Sequence, residues 1–437
     1  MIFKNAKLIL VTDITILLCS VVTSLVGARA LGPEGRGDLL IITLWPLVTS
    51  LLAELGLPNA YRYWSAKEPA RTSSLFSNAI IFTIVAGVAS MSLAYAVVPH
   101  LVSQPGVGTA LVRIYLLNIP AVIFLDLMRG LLEGARRFGW AGAARLIFFG
   151  IQASGFAILW FGNDLTVATA AYTMMLAQVI SMTLALVAVW RQLHPRWQPS
   201  WTEFKTSMHY GLRDYAGGLA DYATLRMDQI MLSAMATNGA IGLYVMAVRL
   251  SEVTTFAGGA LADALMPEVA SSTSANERAE SLLGRTLRLT IYFNLVVLFP
   301  LWWAAPRLLK TLFGPSFVPA TGAFRWLLVA AVVWSAAAIV TRGLQGFGYP
   351  GMTTIARFLS ALVTVPALLI LLPKYGIEGA AIASLIGYSV LLAVALFGLV
   401  QRRQLGVWRY LRPQTRDWQY ARLKAAAAFS LLRSSES

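Results

Sequence analysis

The stretch ARALGPEGRGDLLIITLW, residues 28–45, separates two apolar segments close to the start of the chain. Glycines beside charged residues occur in phosphate-binding loops, near signal-cleavage sites and in turns between helices. A phosphate-binding loop would continue with a lysine and a hydroxyl residue, which this stretch lacks. A signal peptide would need an apolar run without Asp13, and the run before the stretch is long enough to cross a bilayer. The stretch therefore predicts a turn between two membrane-spanning helices.

The composition is that of a protein embedded in a lipid bilayer. Of the 437 residues, 57% are hydrophobic and 13% charged, and the mean hydropathy is +0.67. A soluble domain would have roughly 25% charged residues. The single cysteine, Cys19, and three scattered histidines exclude a disulfide framework and a Cys/His metal site, so no metal or other cofactor is expected. The net charge of +15 is assigned to cytoplasmic loops and not to nucleic-acid binding.

Apolar windows of about 20 residues predict an all-α fold with about twelve transmembrane helices. Lys and Arg concentrate in the loops of one side and in the C-terminal tail, so both termini are expected in the cytoplasm. The predicted spans lie near residues 8–30, 38–60, 77–99, 109–132, 142–162, 165–190, 209–236, 240–268, 286–305, 322–341, 353–372 and 378–400.

One sequence pattern occurs twice, which indicates an internal repeat. RGLLEGARRFGWAGAAR at 129–145 ends span four, and RGLQGFGYPGMTTIAR at 342–357 ends span ten. A separation of six spans gives two lobes of equal orientation, related by a parallel pseudo-twofold repeat. The predicted domains are an N-terminal six-helix lobe (1–200), a C-terminal six-helix lobe (201–400) and a basic cytoplasmic tail (401–437). The simpler interpretation is a chance recurrence of glycines and arginines at cytoplasmic turns.

Carboxylates lie inside several of the predicted spans, where an ionisable group costs at least about 2.5–3.5 kcal/mol. In span seven, acidic residues recur every seven positions with small residues between them, which gives the helix one polar face. Such groups either face a wet cavity, where they can couple transport to H⁺ or Na⁺, or only form ion pairs that hold helices together. The candidates for ion coupling are Asp13, Glu54, Asp221, Asp228, Glu252 and Asp263.

Arginines in or near the same spans indicate an anionic ligand. Arg113, Arg213, Arg226 and Arg249 each carry a planar guanidinium that can bind phosphate oxygens through two hydrogen bonds. A cavity that selects cations would be mainly acidic. The mixture of arginines and carboxylates therefore favours an anion whose movement is coupled to a cation.

Several motifs resemble a known family. ARALGPEGRGDLL at 28–40, GAIGLYVMAVRLSEV at 239–253, LFGPSFVPA at 312–320 and YGIEGAAIASLIGY at 375–388 are similar to signatures of polysaccharide-biosynthesis flippases of the O-unit type. These flippases belong to the multidrug/oligosaccharidyl-lipid/polysaccharide exporter superfamily, and the similarity runs over nearly the whole chain.

The resemblance implies a transporter, not an enzyme, in the bacterial cytoplasmic (inner) membrane. Its cargo would be an undecaprenyl-diphosphate-linked oligosaccharide, an O-unit of lipopolysaccharide or an exopolysaccharide repeat, moved by alternating access. A polysaccharide polymerase and other assembly proteins would be partners. The family's arginines near the central cavity match Arg29, Arg62, Arg226 and Arg249, although Arg29 lies at the end of span one and Arg62 beyond span two.

Three other functions stay open on the sequence. The first is a multidrug or cation antiporter of the same superfamily. The second is a polysaccharide-assembly enzyme in the membrane, which would be expected to carry reactive groups on a sizeable external loop. The third is a scaffold without transport activity.

Overall fold

The computed structural model describes residues 2–101, 109–271 and 276–403, together with residues 410 and 412. Side chains are described except at 2–10, 109, 214, 216, 221, 256, 257, 264, 267, 271 and 276–278. The described chain consists of helices joined by short turns and contains no strand. The predicted all-α fold class is confirmed.

The helices of the described chain vary widely in length. Short 3₁₀ turns cover Pro69–Arg71 and Pro315–Ala320, and a π turn covers Thr83–Gly87. The α-helices are α1 (Ile2–Glu54), α2 (Leu57–Lys67), α3 (Thr72–Phe82), α4 (Val88–Leu101), α5 (Thr109–Leu116), α6 (Ile119–Gly134), α7 (Phe138–Phe161), α8 (Val167–Leu193), α9 (Trp201–Met235), α10 (Asn238–Ser271), α11 (Asn276–Leu312), α12 (Thr321–Gly346) and α13 (Pro350–Arg403).

Helices α1 and α13 are each broken at one glycine. Gly32 has φ 66° and ψ −176°, and Gly376 has φ 58° and ψ −138°. Both glycines begin a Gly-x-Glu-Gly pattern, GPEG at 32–35 and GIEG at 376–379. Positive φ combined with ψ this far from the left-handed α range is a conformation that essentially only glycine adopts, which accounts for glycine at both breaks. The interruption predicted from the opening stretch is present at Gly32.

In the part of the chain that the structure describes, eight helices are long and apolar enough to cross a membrane. The number rises to nine with the pair Asn238–Thr255 and Gly258–Ala270, which is bent by 45°. Helices α1 and α13, with 53 and 54 residues, each exceed the ~20 residues that one crossing needs. Helix α9 is long enough but more polar. The twelve-helix, two-lobe count stays a prediction.

The two copies of the repeated sequence end their helices with the same turn. The residue in the left-handed conformation is Arg136 in the first copy (φ 59°) and Gly348 in the second (φ 84°). The next N–H group then reaches back five residues, as in a Schellman turn. These bonds join Arg137 N to Leu132 O at 2.8 Å and Tyr349 N to Leu344 O at 2.9 Å. The common geometry supports the internal repeat.

The chain divides into two compact units. The first comprises Met1–Arg249, Pro306–Thr321 and Leu372–Ala380, and the second comprises Leu250–Ala305, Gly322–Leu371 and Ala381–Ser437. The second unit has a continuous apolar core that includes Leu283, Leu287 and Val340. The lobe boundaries expected at residues 200 and 400 stay a prediction.

Within the first unit, the start of α10 packs directly on the backbone beside the break in α1. A Cβ at Gly37 would overlap the carbonyl group of Asn238, and a Cβ at Gly242 would overlap that of Pro33. The Asn238 amide also donates a 2.6 Å hydrogen bond to Asp38. Glycine is required at this contact because two backbones meet without side chains between them.

We predict that Gly37→Ala lowers the melting temperature of the detergent-purified protein. The added methyl group has no space beside the Asn238 carbonyl, and overpacking of this kind costs typically about 1–3 kcal/mol. Gly239→Ala is the matched control, because its Cβ would meet only the Glu34 side chain at 3.6 Å. Equal melting temperatures for the two variants would contradict the close backbone contact.

Candidate functional site

Three neighbouring cavities of the first unit share wall residues and lie one after another along a path lined by arginines. The first, of about 110 Å³, contains Arg36 and Arg249 in its wall. The second, of about 540 Å³, shares Arg249 with the first and adds Arg145 and Arg226. The third, of about 230 Å³, shares Arg129 with the second and adds Arg62. We call this path the arginine path.

The arginines reach the path because each lies on the inner face of its helix. In α1, Arg36 is followed by Leu40 and Thr43, and a spacing of four and seven residues places all three on one face. The guanidinium of Arg36 lies over Gly27, where a Cβ would be 2.8 Å from its Nη1. The helix before the break thus leaves space for the side chain that follows the break.

Charge is distributed unevenly along the arginine path. In the described part of the first cavity's wall there are two arginines and no carboxylate. Among the residues that the structure describes, the second cavity has four arginines and one carboxylate, Asp126. The third has Arg62 and Arg129 against Glu54 and Asp126, so its formal charges balance. The excess of positive charge therefore lies away from α2, and an anion would be held most strongly there.

Neutral polar groups and aromatic rings complete the wall of the second cavity. Asparagine, glutamine and serine side chains can hydrogen-bond to hydroxyl groups of a ligand, and the aromatic rings offer flat apolar surfaces. This combination with arginine suits a ligand that carries both anionic and hydroxyl groups. The residues are Asn118, Gln152, Gln178, Ser181, Gln229, Tyr115, Phe148, Phe149 and Tyr222.

An ion-pair network closes the end of the path next to α2. Arg129 pairs with Asp126 at 2.9 Å and approaches Glu133 at 3.8 Å. Glu133 also accepts from Arg62 at 2.5 Å. Glu54, only 8% exposed, lines the same cavity as Asp126. The network links α1, α2 and α6, and an entering anion would have to compete with its carboxylates.

The six predicted ligand arginines fall into two groups. Arg249, Arg226 and Arg62 line the arginine path. The others line none of these three cavities. Arg29 donates to the carbonyls of Thr311 (2.6 Å) and Leu312 (2.9 Å) at the end of α11, Arg113 lies 5.2 Å from the Tyr95 ring centre, and Arg213 is exposed on α9.

The predicted coupling carboxylates have varied surroundings. Asp13 pairs with Arg145 at 2.9 Å, and Glu54 lines the third cavity. Asp228 is buried and accepts from the Tyr244 hydroxyl at 2.5 Å and the Gln229 backbone N–H at 2.7 Å. In the second unit, Asp263 pairs with Arg342 at 2.9 Å, and Glu252 is half-buried on α10. The side chain of Asp221 lies outside the described residues.

Sequence reasoning missed Arg36 as a site residue and left Asp126, Arg129 and Glu133 out of the site. Arg36 was assigned to an external turn, whereas α1 resumes directly after Gly32 and carries Arg36 on the first turn of the new segment. Its helical spacing to Thr43 was the available signal. The described side chains contain no group of three or more His, Cys, Asp or Glu residues that could hold a metal ion.

The fold and the arginine path together define a helical membrane protein with a basic, polar internal cavity. Residues 2–272 match the family of polysaccharide biosynthesis proteins, and the chain belongs to that family. The match covers more than half of the chain and includes the arginine path, so the resemblance based on the sequence motifs is confirmed.

Among curated proteins, the chain is similar to a probable low-salt glycan biosynthesis flippase of Haloferax volcanii. The two are 22% identical over 257 residues, which cover 58% of this chain and 51% of the relative. The matched region thus spans about half the length of that relative.

Among solved structures, the chain is similar to proteins of one transporter superfamily. Lipid II flippase MurJ, in an inward closed conformation, matches with a TM-score of 0.76 and 12% identity over 91% of this chain and 87% of MurJ. An inward-facing multidrug resistance MATE family transporter of the MOP superfamily matches with a TM-score of 0.69 and 18% identity over 89% and 94%. At these identities the likeness establishes the fold.

We predict that Tyr244→Phe destabilises the protein. Its hydroxyl donates to the buried Asp228 carboxylate, and the loss of a donor to a buried charge costs about 1.5–3 kcal/mol. Tyr222→Phe is the matched control, because the buried Tyr222 hydroxyl has no hydrogen-bond partner within the described structure. In thermal unfolding in detergent, the melting temperature of Tyr244→Phe should lie well below that of the wild type. The melting temperature of Tyr222→Phe should equal or exceed that of the wild type.

Proposed function

We propose that the protein is a flippase that moves a polyprenyl-diphosphate-linked oligosaccharide across the bacterial cytoplasmic membrane by alternating access. The observation that carries the proposal is the arginine path, in which arginines alternate with amide, hydroxyl and aromatic groups. A diphosphate needs several positive hydrogen-bond donors, and a glycan needs polar neutral groups. Membership of the polysaccharide biosynthesis protein family supports this cargo.

The diphosphate binds where the positive charge is in excess. Arg226 and Arg249 line the second cavity, and Arg36 faces the first. The Nε atom of Arg36 is buried and has no hydrogen-bond partner within the described residues, so a phosphate oxygen would satisfy it. The sugars lie against the amides of the second cavity, and the prenyl chain stays in the lipid.

A cation or drug antiporter is the second candidate, because the chain shares its fold with MATE family transporters. The arginine path opposes this candidate, since a cation would meet four arginines and one carboxylate in the described wall of the second cavity. Efflux of a cationic dye from cells that express the chain, without an effect on surface polysaccharide, would favour it.

Transport is coupled to H⁺ or Na⁺ in the proposed mechanism. Of the six predicted carboxylates, Glu54 is buried in the cavity that joins the arginine path to α2. An anion that binds Arg129 would weaken the pairing of that arginine with Asp126 and leave the neighbouring carboxylates to take up a cation. A polysaccharide polymerase would receive the translocated glycan on the external side.

We predict that Arg249→Ala abolishes translocation while membrane insertion and folding persist. Arg249 lines two cavities of the path, and the loss of a charge-assisted phosphate contact costs about 1.5–3 kcal/mol, or roughly 10- to 150-fold in binding. The assay is flipping of a labelled polyprenyl-diphosphate oligosaccharide in vesicles that contain only this protein.

The control is Arg137→Ala, because Arg137 is exposed and lines none of the three cavities of the arginine path. Both variants have the same change in net charge. Near-normal flipping by Arg249→Ala would contradict the assignment of the anion site to the second cavity.

We predict that Glu54→Gln makes flipping insensitive to imposed H⁺ or Na⁺ gradients. The amide keeps the size and hydrogen-bonding ability of the side chain but cannot change its charge. Vesicles with pH or sodium gradients of either direction provide the measurement. A variant whose flipping still follows the gradient as the wild type does would remove Glu54 from the coupling role.

A further inference from the structure

A fourth cavity of the first unit opens beside α2 and lies outside the arginine path. Its volume is about 610 Å³, and its wall consists of Asn59, Arg62, Tyr63, Ala66, Lys67 and Tyr210. Known ligand pockets measure roughly 300–1,000 Å³. Asn59 and Arg62 also line the third cavity, so this space adjoins the balanced end of the arginine path. We call it the α2 vestibule.

Two tyrosines form one side of the α2 vestibule. The rings of Tyr63 and Tyr210 are stacked, with centroids 4.4 Å apart and an interplanar angle of 13°. The ammonium group of Lys67 lies 5.5 Å from the Tyr63 ring centre and 5.1 Å from that of Trp64. Tyr63 is 36% exposed. The wall thus presents aromatic surface next to amide, hydroxyl and ammonium groups.

The crossing of α2 and α9 holds these side chains in a fixed arrangement. Gly56 has φ 75°, and a Cβ on it would overlap the carbonyl of Gly211, so the two helices meet backbone to backbone. At the other end of α2, Arg71 lies 4.4 Å from the Trp64 ring centre and pairs with Glu203 of α9 at 3.1 Å. The vestibule wall is therefore supported at both ends and needs little reordering to bind a ligand.

We propose that the α2 vestibule binds the glycan of the lipid-linked substrate before the diphosphate enters the arginine path. The C–H face of a sugar ring packs on aromatic surface, and its hydroxyl groups hydrogen-bond to Asn59, Lys67 and the tyrosine hydroxyls. Arg62, shared by both cavities, then receives the phosphate. The proposal rests on the flippase function and assigns one part of the substrate to a separate site.

The position of the α2 vestibule indicates which ligand it binds. Aromatic and basic residues at a membrane interface commonly face lipid one by one. Here they form the wall of a cavity that carries amide, hydroxyl and ammonium groups and shares Asn59 and Arg62 with a second cavity that has two arginines. A ligand with hydroxyl-rich sugars at one end and phosphate at the other matches these two cavities, because the first carries aromatic and hydrogen-bonding groups and the second carries arginines.

The test compares two probes on the purified full-length protein. One is a polyprenyl-diphosphate oligosaccharide extracted from cells that naturally produce this chain, and the other is polyprenyl diphosphate without sugars. Tyr63→Ala should weaken binding of the glycan-bearing probe about 10-fold, the equivalent of 1.4 kcal/mol, and change binding of the glycan-free probe less than about twofold. Tyr63→Phe should keep most of the affinity. Asn59→Leu provides a second variant with the same expected selectivity.

The control is Trp201→Ala. Trp201 is 67% exposed and has Lys205 at 5.5 Å from its ring centre, but it lines neither the α2 vestibule nor the arginine path. An equal loss in Trp201→Ala, or an equal loss for both probes in Tyr63→Ala, would assign the aromatic residues to a lipid interface and overturn the proposal. Unchanged binding in both vestibule variants would also overturn it, while the flippase function stands. If the wild type binds neither probe, the flippase function itself fails.

Discussion

A charged side chain in the hydrocarbon of a membrane must face water or an opposite charge, and this requirement organises the first unit. Each arginine would cost at least about 2.5–3.5 kcal/mol in lipid. Arg36, Arg226 and Arg249 instead face neighbouring cavities. Arg145 and Arg129 face the same space and also pair with Asp13 and Asp126. The positions of these arginines therefore determine both the cavity and the helix packing, because the helices must enclose a polar volume wherever they carry such residues.

The same hydrocarbon also restricts where the backbone can change direction. Peptide groups in lipid have to be hydrogen-bonded within a helix, so a break needs a special residue and a protein environment. Gly32 supplies the break in α1, and Gly37 and Gly242 let α10 pack on the adjacent backbone. Because α1 resumes at once, Arg36 lies one turn beyond the break. The φ value of Gly32 thus determines which face of α1 lines the arginine path.

The sequence was sufficient for the features that depend on neighbouring residues along the chain. Apolar length predicts the helices, the turn predicted in residues 28–45 contains the break at Gly32, and arginines in apolar runs point to Arg226 and Arg249. The sequence was insufficient for contacts between residues that are far apart along the chain. Span two was expected to run to residue 60, whereas α1 ends at Glu54 and α2 starts at Leu57. Only that extra turn brings Arg62 to Glu133, and no periodicity reveals a pair 71 positions apart.

The uneven charge of the path has a consequence for the direction of binding. At the α2 end, which is the predicted cytoplasmic end, the carboxylates of Glu54 and Asp126 balance Arg62 and Arg129, so an anion gains little there. Further along, the described wall of the second cavity has four arginines and one carboxylate, and the wall around Arg36 has no carboxylate in the described residues. In the proposed mechanism, an anionic substrate that enters beside α2 therefore moves toward stronger binding, and its release on the far side requires a change in the cavity.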